Sequence, residues 1–221
     1  MRVCNLLAFL VCFAVGPGSL RADVLYSSFG PGDSFMGTGV QFIGLVEWLS
    51  PIRTDVRVAN QFTVGSPATV SQYRVAISLR TGMSQATQTG YLSLWSGAAE
   101  PATLVEDDIL FDTGGPSPGL SFIAAIDSVT HPVLTPGETY WVLLRAGIGE
   151  LDSYRWYDAD PATGLTRLVS WTGADWLSAG TQGNAFDVRG TLNAVPEPSA
   201  WLLLGAAFSL LALPGMRRIR G

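Results

Sequence analysis

Tyr73-Arg74-Val75-Ala76-Ile77-Ser78-Leu79 alternates: its odd positions are large and apolar, its even positions small or polar. Successive side chains of a strand point to opposite faces, so this period of two predicts a strand with one face in a core. Further along, Thr135-Pro136-Gly137-Glu138 carries the Pro-Gly chemistry of a turn. The run behind it, Thr139-Tyr140-Trp141-Val142-Leu143-Leu144, reads as a central strand. Outward from these two, short strand windows recur at Val24 to Phe29, Val56 to Val64, Gln72 to Leu79, Gly90 to Trp95, Thr103 to Asp112, Thr139 to Ala146, Ser153 to Tyr157, Leu165 to Trp171 and Ala185 to Leu192. Gly, Pro, Asn and Asp punctuate them, and no helical period is sustained over three turns. The pattern predicts an all-β chain with one antiparallel β-sandwich, jelly-roll-like.

The chain has 221 residues, enough for one domain of ordinary size once segments at both ends are set aside. Between Asp23 and Ala194 there are eight arginines against seventeen acids, a formal charge of −9, and there is no lysine. Such a domain repels phosphate backbones, which argues against nucleic acid as a partner. Both cysteines, Cys4 and Cys12, lie in the N-terminal apolar segment. A mature domain without that segment has no disulfide and no thiolate metal site, so its core must carry the fold.

The ends have their own logic. Arg2 provides a positive start, and Leu6 to Val15 an apolar run too short to span a bilayer. Gly16-Pro17-Gly18 then breaks the helix ahead of Leu20-Arg21-Ala22. This is the layout of a secretory signal peptide over residues 1–22, cleaved after Ala22. At the other end, Val195-Pro196-Glu197-Pro198 precedes the apolar run Ala200 to Leu213, and Met216-Arg217-Arg218-Ile219-Arg220 follows it. The prolines around Glu197 forbid helix and ladder bonding, leaving the motif extended and accessible to a peptidase. The apolar segment, about residues 199–216, predicts a transmembrane helix. Arg217, Arg218 and Arg220 hold the far side in the cytoplasm by the positive-inside rule, and the domain of residues 23–194 is then outside.

This tail, residues 195–221, resembles the PEP-CTERM sorting signal, in which a Pro-Glu-Pro motif, a membrane segment and a basic cluster are recognised by an exosortase. The resemblance implies processing at or near Pro196-Glu197-Pro198. It further implies a transient stay in the inner membrane and delivery to the cell surface or extracellular matrix, commonly in bacteria that make exopolysaccharide. The domain's own stretches also resemble the choice-of-anchor surface domains that often precede such a tail. They are Ala59-Asn60-Gln61-Phe62-Thr63-Val64-Gly65, Leu94-Trp95-Ser96-Gly97, Leu134-Thr135-Pro136-Gly137-Glu138-Thr139-Tyr140-Trp141-Val142 and Ala185-Phe186-Asp187-Val188-Arg189-Gly190-Thr191. That second resemblance implies a fold and a location and carries over no catalytic residue.

Catalytic chemistry is sparse. The one histidine, His131, precedes Pro132 in a turn-like stretch and reads as a loop residue. Gly115-Pro116-Ser117-Pro118-Gly119 matches the hydrolase elbow in form, but Pro118 lacks the backbone N–H an oxyanion hole needs. The expectation is therefore a protein that is not an enzyme, has no required cofactor, and serves in structure or interaction at the surface. Asp152, Asp158 and Asp160 offer oxygens for a structural Ca²⁺, against a plain Asx-Pro turn. Glu106-Asp107-Asp108 reads as a solvated strand edge. Trp156, Tyr157, Trp171 and Trp176 concentrate in a Gly- and Asp-rich region, and their rings suit stacking on sugars, which makes a carbohydrate-binding module the alternative. If Trp156 points inward, Tyr157 points outward.

Overall fold

The computed structural model describes residues 22–43, 56–80, 89–112, 121–146, 153–159, 166–170 and 175–193. Regular structure there is all β: β1 Asp23–Ser27, β2 Gly39–Ile43, β3 Arg57–Thr63, β4 Ala68–Arg80, β5 Thr89–Ser96, β6 Thr103–Asp112, β7 Ser121–Asp127, β8 Val133–Leu134, β9 Thr139–Ala146, β10 Ser153–Tyr157, β11 Arg167–Ser170, β12 Leu177–Ser178 and β13 Phe186–Leu192. Among the described residues no helix is long and apolar enough to cross a membrane. The signal peptide, the Pro196-Glu197-Pro198 motif, the span and the basic cluster all lie outside the described residues, as does the Gly115 to Gly119 loop.

The strands form two antiparallel sheets. One runs β12-β11-β3-β9-β5-β6, with β9 central as its uninterrupted apolar run predicts. The other is built on the long β4. Its one edge pairs first with β13 and then with β10, and its other edge with β8 and β7. Beyond them β1 pairs with β13, and β2 with β10.

Each of the nine expected windows contains a strand, while β2, β7, β8 and β12 were not expected. β8 and β12 are two residues long, too short to show a period, and Ser121-Phe122-Ile123-Ala124-Ala125 in β7 does not alternate.

The alternation of β4 does what its period requires. Tyr73, Val75 and Ile77 are fully buried between the sheets, where they meet Val58 and Phe62 of β3 and Val142 and Leu144 of β9. Phe186 of β13 is an aromatic hub, 5.2 Å from Tyr26, 6.0 Å from Phe62 and 6.0 Å from Trp156 between ring centroids. Buried side chains of this size each contribute about 2 kcal/mol on transfer from water, so this layer is where a domain without disulfides finds its stability.

Candidate functional site

The sequence-predicted aromatic and acidic residues divide by strand geometry. Trp156 of β10 is wholly buried in the inter-sheet core, and its indole Nε1 donates to the Ala185 carbonyl at 2.9 Å. Tyr157 faces the opposite way, as the strand period demands. It is buried with Ala76 and Ala185 beneath Phe29 and Phe35, its ring 5.1 Å from that of Phe35. Neither ring has a free face for a sugar, which corrects their place in the glycan-contact set. Trp171 lies outside the described residues. Trp176 is half-buried and packs with Trp95 on the outer face of the six-stranded sheet, over Ala59, Trp141, Leu143 and Leu168.

Asp158 follows β10 and is also buried. Its Oδ1 accepts from Arg167 Nη1 at 2.8 Å and Asn184 Nδ2 at 3.4 Å. A guanidinium complements the charge of this carboxylate, so Asp158 serves here as an ion-pair partner. Asp152 and Asp160 lie outside the described residues. Among the described residues no group of three His, Cys, Asp or Glu is placed to hold a metal.

What the fold does bring together are two polar seams, at opposite ends of one row across the six-stranded sheet. Cross-strand partners run Arg167, Asn60, Val142, Leu94, Glu106, from β11 to β6. In the middle Val142 and Leu94 face the apolar core, and at both flanks polar groups reach the other sheet.

At the first seam Asn60 of β3 and Asn184, just before β13, bind reciprocally. Asn184 N donates to Asn60 Oδ1 at 2.8 Å, and Asn60 Nδ2 donates to Asn184 Oδ1 at 3.1 Å. Asn184 Nδ2 also donates to the Trp156 carbonyl at 2.8 Å, and Ser28 Oγ donates to the Asn184 carbonyl at 2.9 Å. Arg167 Nη2 donates to the Ala179 carbonyl at 3.0 Å, which fixes the guanidinium beside Asp158.

At the second seam stands Glu106, 2% exposed, which corrects the reading of Glu106-Asp107-Asp108 as a solvated edge. β6 is indeed an edge strand and Asp107 is exposed, but the pairing of β6 with β5 shifts register on both sides of Glu106. Such bulges change the phase of the pleat and re-aim a side chain. Here they turn Glu106 inward while Ile109 and Phe111 keep the core face, and Asp108 pairs with Arg145. Tyr73 Oη donates to Glu106 Oε2 at 2.6 Å; Ser128 Oγ, at 2.8 Å, and the amides of Val129 and Thr130, at 2.7 and 2.9 Å, meet Oε1. His131, at φ 49°, closes this turn by donating its amide to Ser128 Oγ at 3.0 Å, and its ring Nδ1 faces the Val70 carbonyl at 3.2 Å. The loop reading of His131 holds.

Burial alone would push the Glu106 carboxyl up. The bonds from Tyr73, Thr130, Ser128 and Val129 outweigh it and hold the group below the ordinary carboxylate value. Burial, then the bond to and charge of Glu106, push the Tyr73 phenol far up. The pair is therefore an anion and a donor at neutral pH, closed to solvent, and it joins the two sheets.

A third polar group lies on the outer face of the seven-stranded sheet. Asp187 accepts from Arg74 Nη1 at 3.0 Å and Arg189 Nη2 at 3.1 Å, Arg74 also pairs with Asp33, and its guanidinium lies over the Phe29 ring. Burial pushes the Asp187 carboxyl above its ordinary value, and the two arginines draw it back only in part.

No single-sequence signal identifies Glu106, Asn60, Asn184 or Arg167 as seam residues, because their pairing depends on register between strands far apart in the chain. No family model matches the chain, and no curated protein matches it significantly.

Proposed function

We propose that the chain is an exported protein of the cell surface or extracellular matrix, sorted by an exosortase and serving in structure or interaction rather than catalysis. It would comprise a signal peptide, a jelly-roll-like β-sandwich and a C-terminal transmembrane sorting tail. The observation that carries this reading is the tail itself: Pro196-Glu197-Pro198, the apolar run Ala200 to Leu213, and Arg217, Arg218 and Arg220, in that order. Each part has a physical task that makes sense only if the next is present. The acidic, thiol-free domain suits an extracytoplasmic life beside surface polysaccharide, with exosortase and the inner membrane as transient partners. Glu197→Ala tests the recognition element directly. In a host with an active exosortase the variant should accumulate uncleaved in the inner membrane while the unsubstituted chain leaves it; equal processing of both would sink the role given to the motif.

One observation favours carbohydrate binding as a second reading. Trp95 and Trp176 are both partly exposed over the same outer-face cluster, an arrangement on which sugar rings can stack. Affinity electrophoresis in gels cast with polysaccharide from the native host checks it: retardation that disappears in Trp176→Ala supports it, and unchanged mobility across polysaccharides removes it.

A further inference from the structure

The two ends of the described chain leave the sandwich together. Asp23, the first residue of β1, pairs with Gly190 of β13, and Gly190 pairs in turn with Val70 of β4. No side chain fits at position 190: a Cβ there would lie 1.9 Å from the Thr69 carbonyl oxygen and 2.9 Å from Leu25. This contact locks β1, β13 and the start of β4 side by side. Asn193 is then held by its amide to the Pro67 carbonyl at 2.8 Å, so the chain departs toward residues 194–221 from the first residues of β4.

The same end gathers exposed apolar side chains. Of the seven large apolar residues that are largely exposed among the described ones, four sit here: Val24 at 53%, Val129 at 71%, Val133 at 63% and Leu192 at 50%. Register places them together, since Leu192 pairs with Ala68, Val133 with Thr69, and Val24 with Arg189, whose own partner is Gln72. Val129 follows Ser128, whose amide donates to the Ser71 carbonyl at 2.9 Å. All four therefore fall within the first few rows of β4.

From Asn193 to Ala200, where the apolar run starts, there are seven residues, a reach of at most about 25 Å. A span entered there cannot let this end of the domain move far from the bilayer. We propose that this end of the sandwich, formed by Val24, Val129, Val133 and Leu192, is a lipid-facing surface on which the domain rests while its tail is in the membrane. The proposal rests on the reading of residues 199–216 as a membrane span. Asp23 and Asp127 are exposed at the same end, so anionic headgroups do not attract it. Contact comes from apolar side chains held at high local concentration by the short tether. The lipid-exposed end is also the end that carries the sorting motif, which places a bound domain directly over the peptidase's substrate.

The test uses the full chain with Cys4 and Cys12 replaced by Ser, in phosphatidylcholine–phosphatidylglycerol vesicles carrying a headgroup quencher. A fluorophore is placed on Val133→Cys or on Ser121→Cys, both exposed positions. Val133 pairs with Thr69 and Ser121 with Ser78, so the labels sit about 30 Å apart along β4. The expected result is quenching at 133 at least about twofold greater than at 121, reduced toward parity when Val24 and Leu192 are both replaced by Asn. Equal quenching at the two labels, or a difference that survives the double replacement, overturns the proposal while leaving the tail reading intact. A chain that fails to float with the vesicles overturns the tail reading, and this proposal with it.

Discussion

The two seams of the sandwich solve the same problem with different chemistry. At the Glu106 seam one carboxylate is satisfied by a phenol, a hydroxyl and two backbone amides. At the Asn184 seam the work is shared between a reciprocal amide pair and the Asp158–Arg167 ion pair. The first concentrates its dependence on a single atom group, and the second distributes it. A buried polar network is costly when half-satisfied, so the concentrated seam should be the more fragile.

Glu106→Ala should therefore have the largest effect, a loss of about 4 kcal/mol, because several buried donors lose their acceptor at once. Urea unfolding would show it as a lower midpoint with little change in slope. A loss below that of any single change at the other seam would break the comparison. Asn184→Ala should cost about 3 kcal/mol by the same measurement, since it removes the acceptor of Asn60 Nδ2 and a donor to the Trp156 carbonyl. The double variant with Glu106→Ala should be additive: Asn60 and Glu106 are three strands apart in one row, about 14 Å. A large coupling term would mean that the seams communicate through Val142 and Leu94.

Protonation sharpens the contrast. The Glu106 carboxyl is held below its ordinary value, so its contribution is present above about pH 4.3 and is lost as pH falls through the lower folded value. Asp187 runs the other way: its value is raised, so its contribution is present at low pH and is lost as pH rises through that value. The stability gap between the unsubstituted chain and Glu106→Gln should thus narrow as pH is lowered from 7 to 3, and a gap that widens would contradict the assignment. The smallest effect is expected of Asp158→Asn, about 2 kcal/mol, because the pair is buried but the Asn carbonyl still offers Arg167 an acceptor, Arg167 keeps the Ala179 carbonyl, and Asn184 keeps its other partners.

Much of this architecture is legible in the sequence. The bounds of β9 and β10 are readable because their apolar and aromatic runs end at Gly- and Asp-rich stretches of sequence, and the faces of β4 follow from its period. That Trp156 and Tyr157 take opposite faces was also readable, although whether either face is open to a ligand was not. Glu106 was unreadable for a physical reason. Three acids on an edge strand read as solvated, and only the register shifts against β5 turn one of them inward. Asp158 and Arg167 are close in sequence yet belong to different sheets, and nothing local announces that they meet.

The central claim is that this domain is exported and sorted by its tail, and intact-mass measurement of the native protein from its own host, with cell fractionation, tests it most directly. The account predicts a surface or extracellular form that begins at Asp23 and lacks the residues after Pro196-Glu197-Pro198. A form that keeps Arg217 to Arg220 in the inner membrane of a host with active exosortase would contradict it, and would make the tail a permanent anchor.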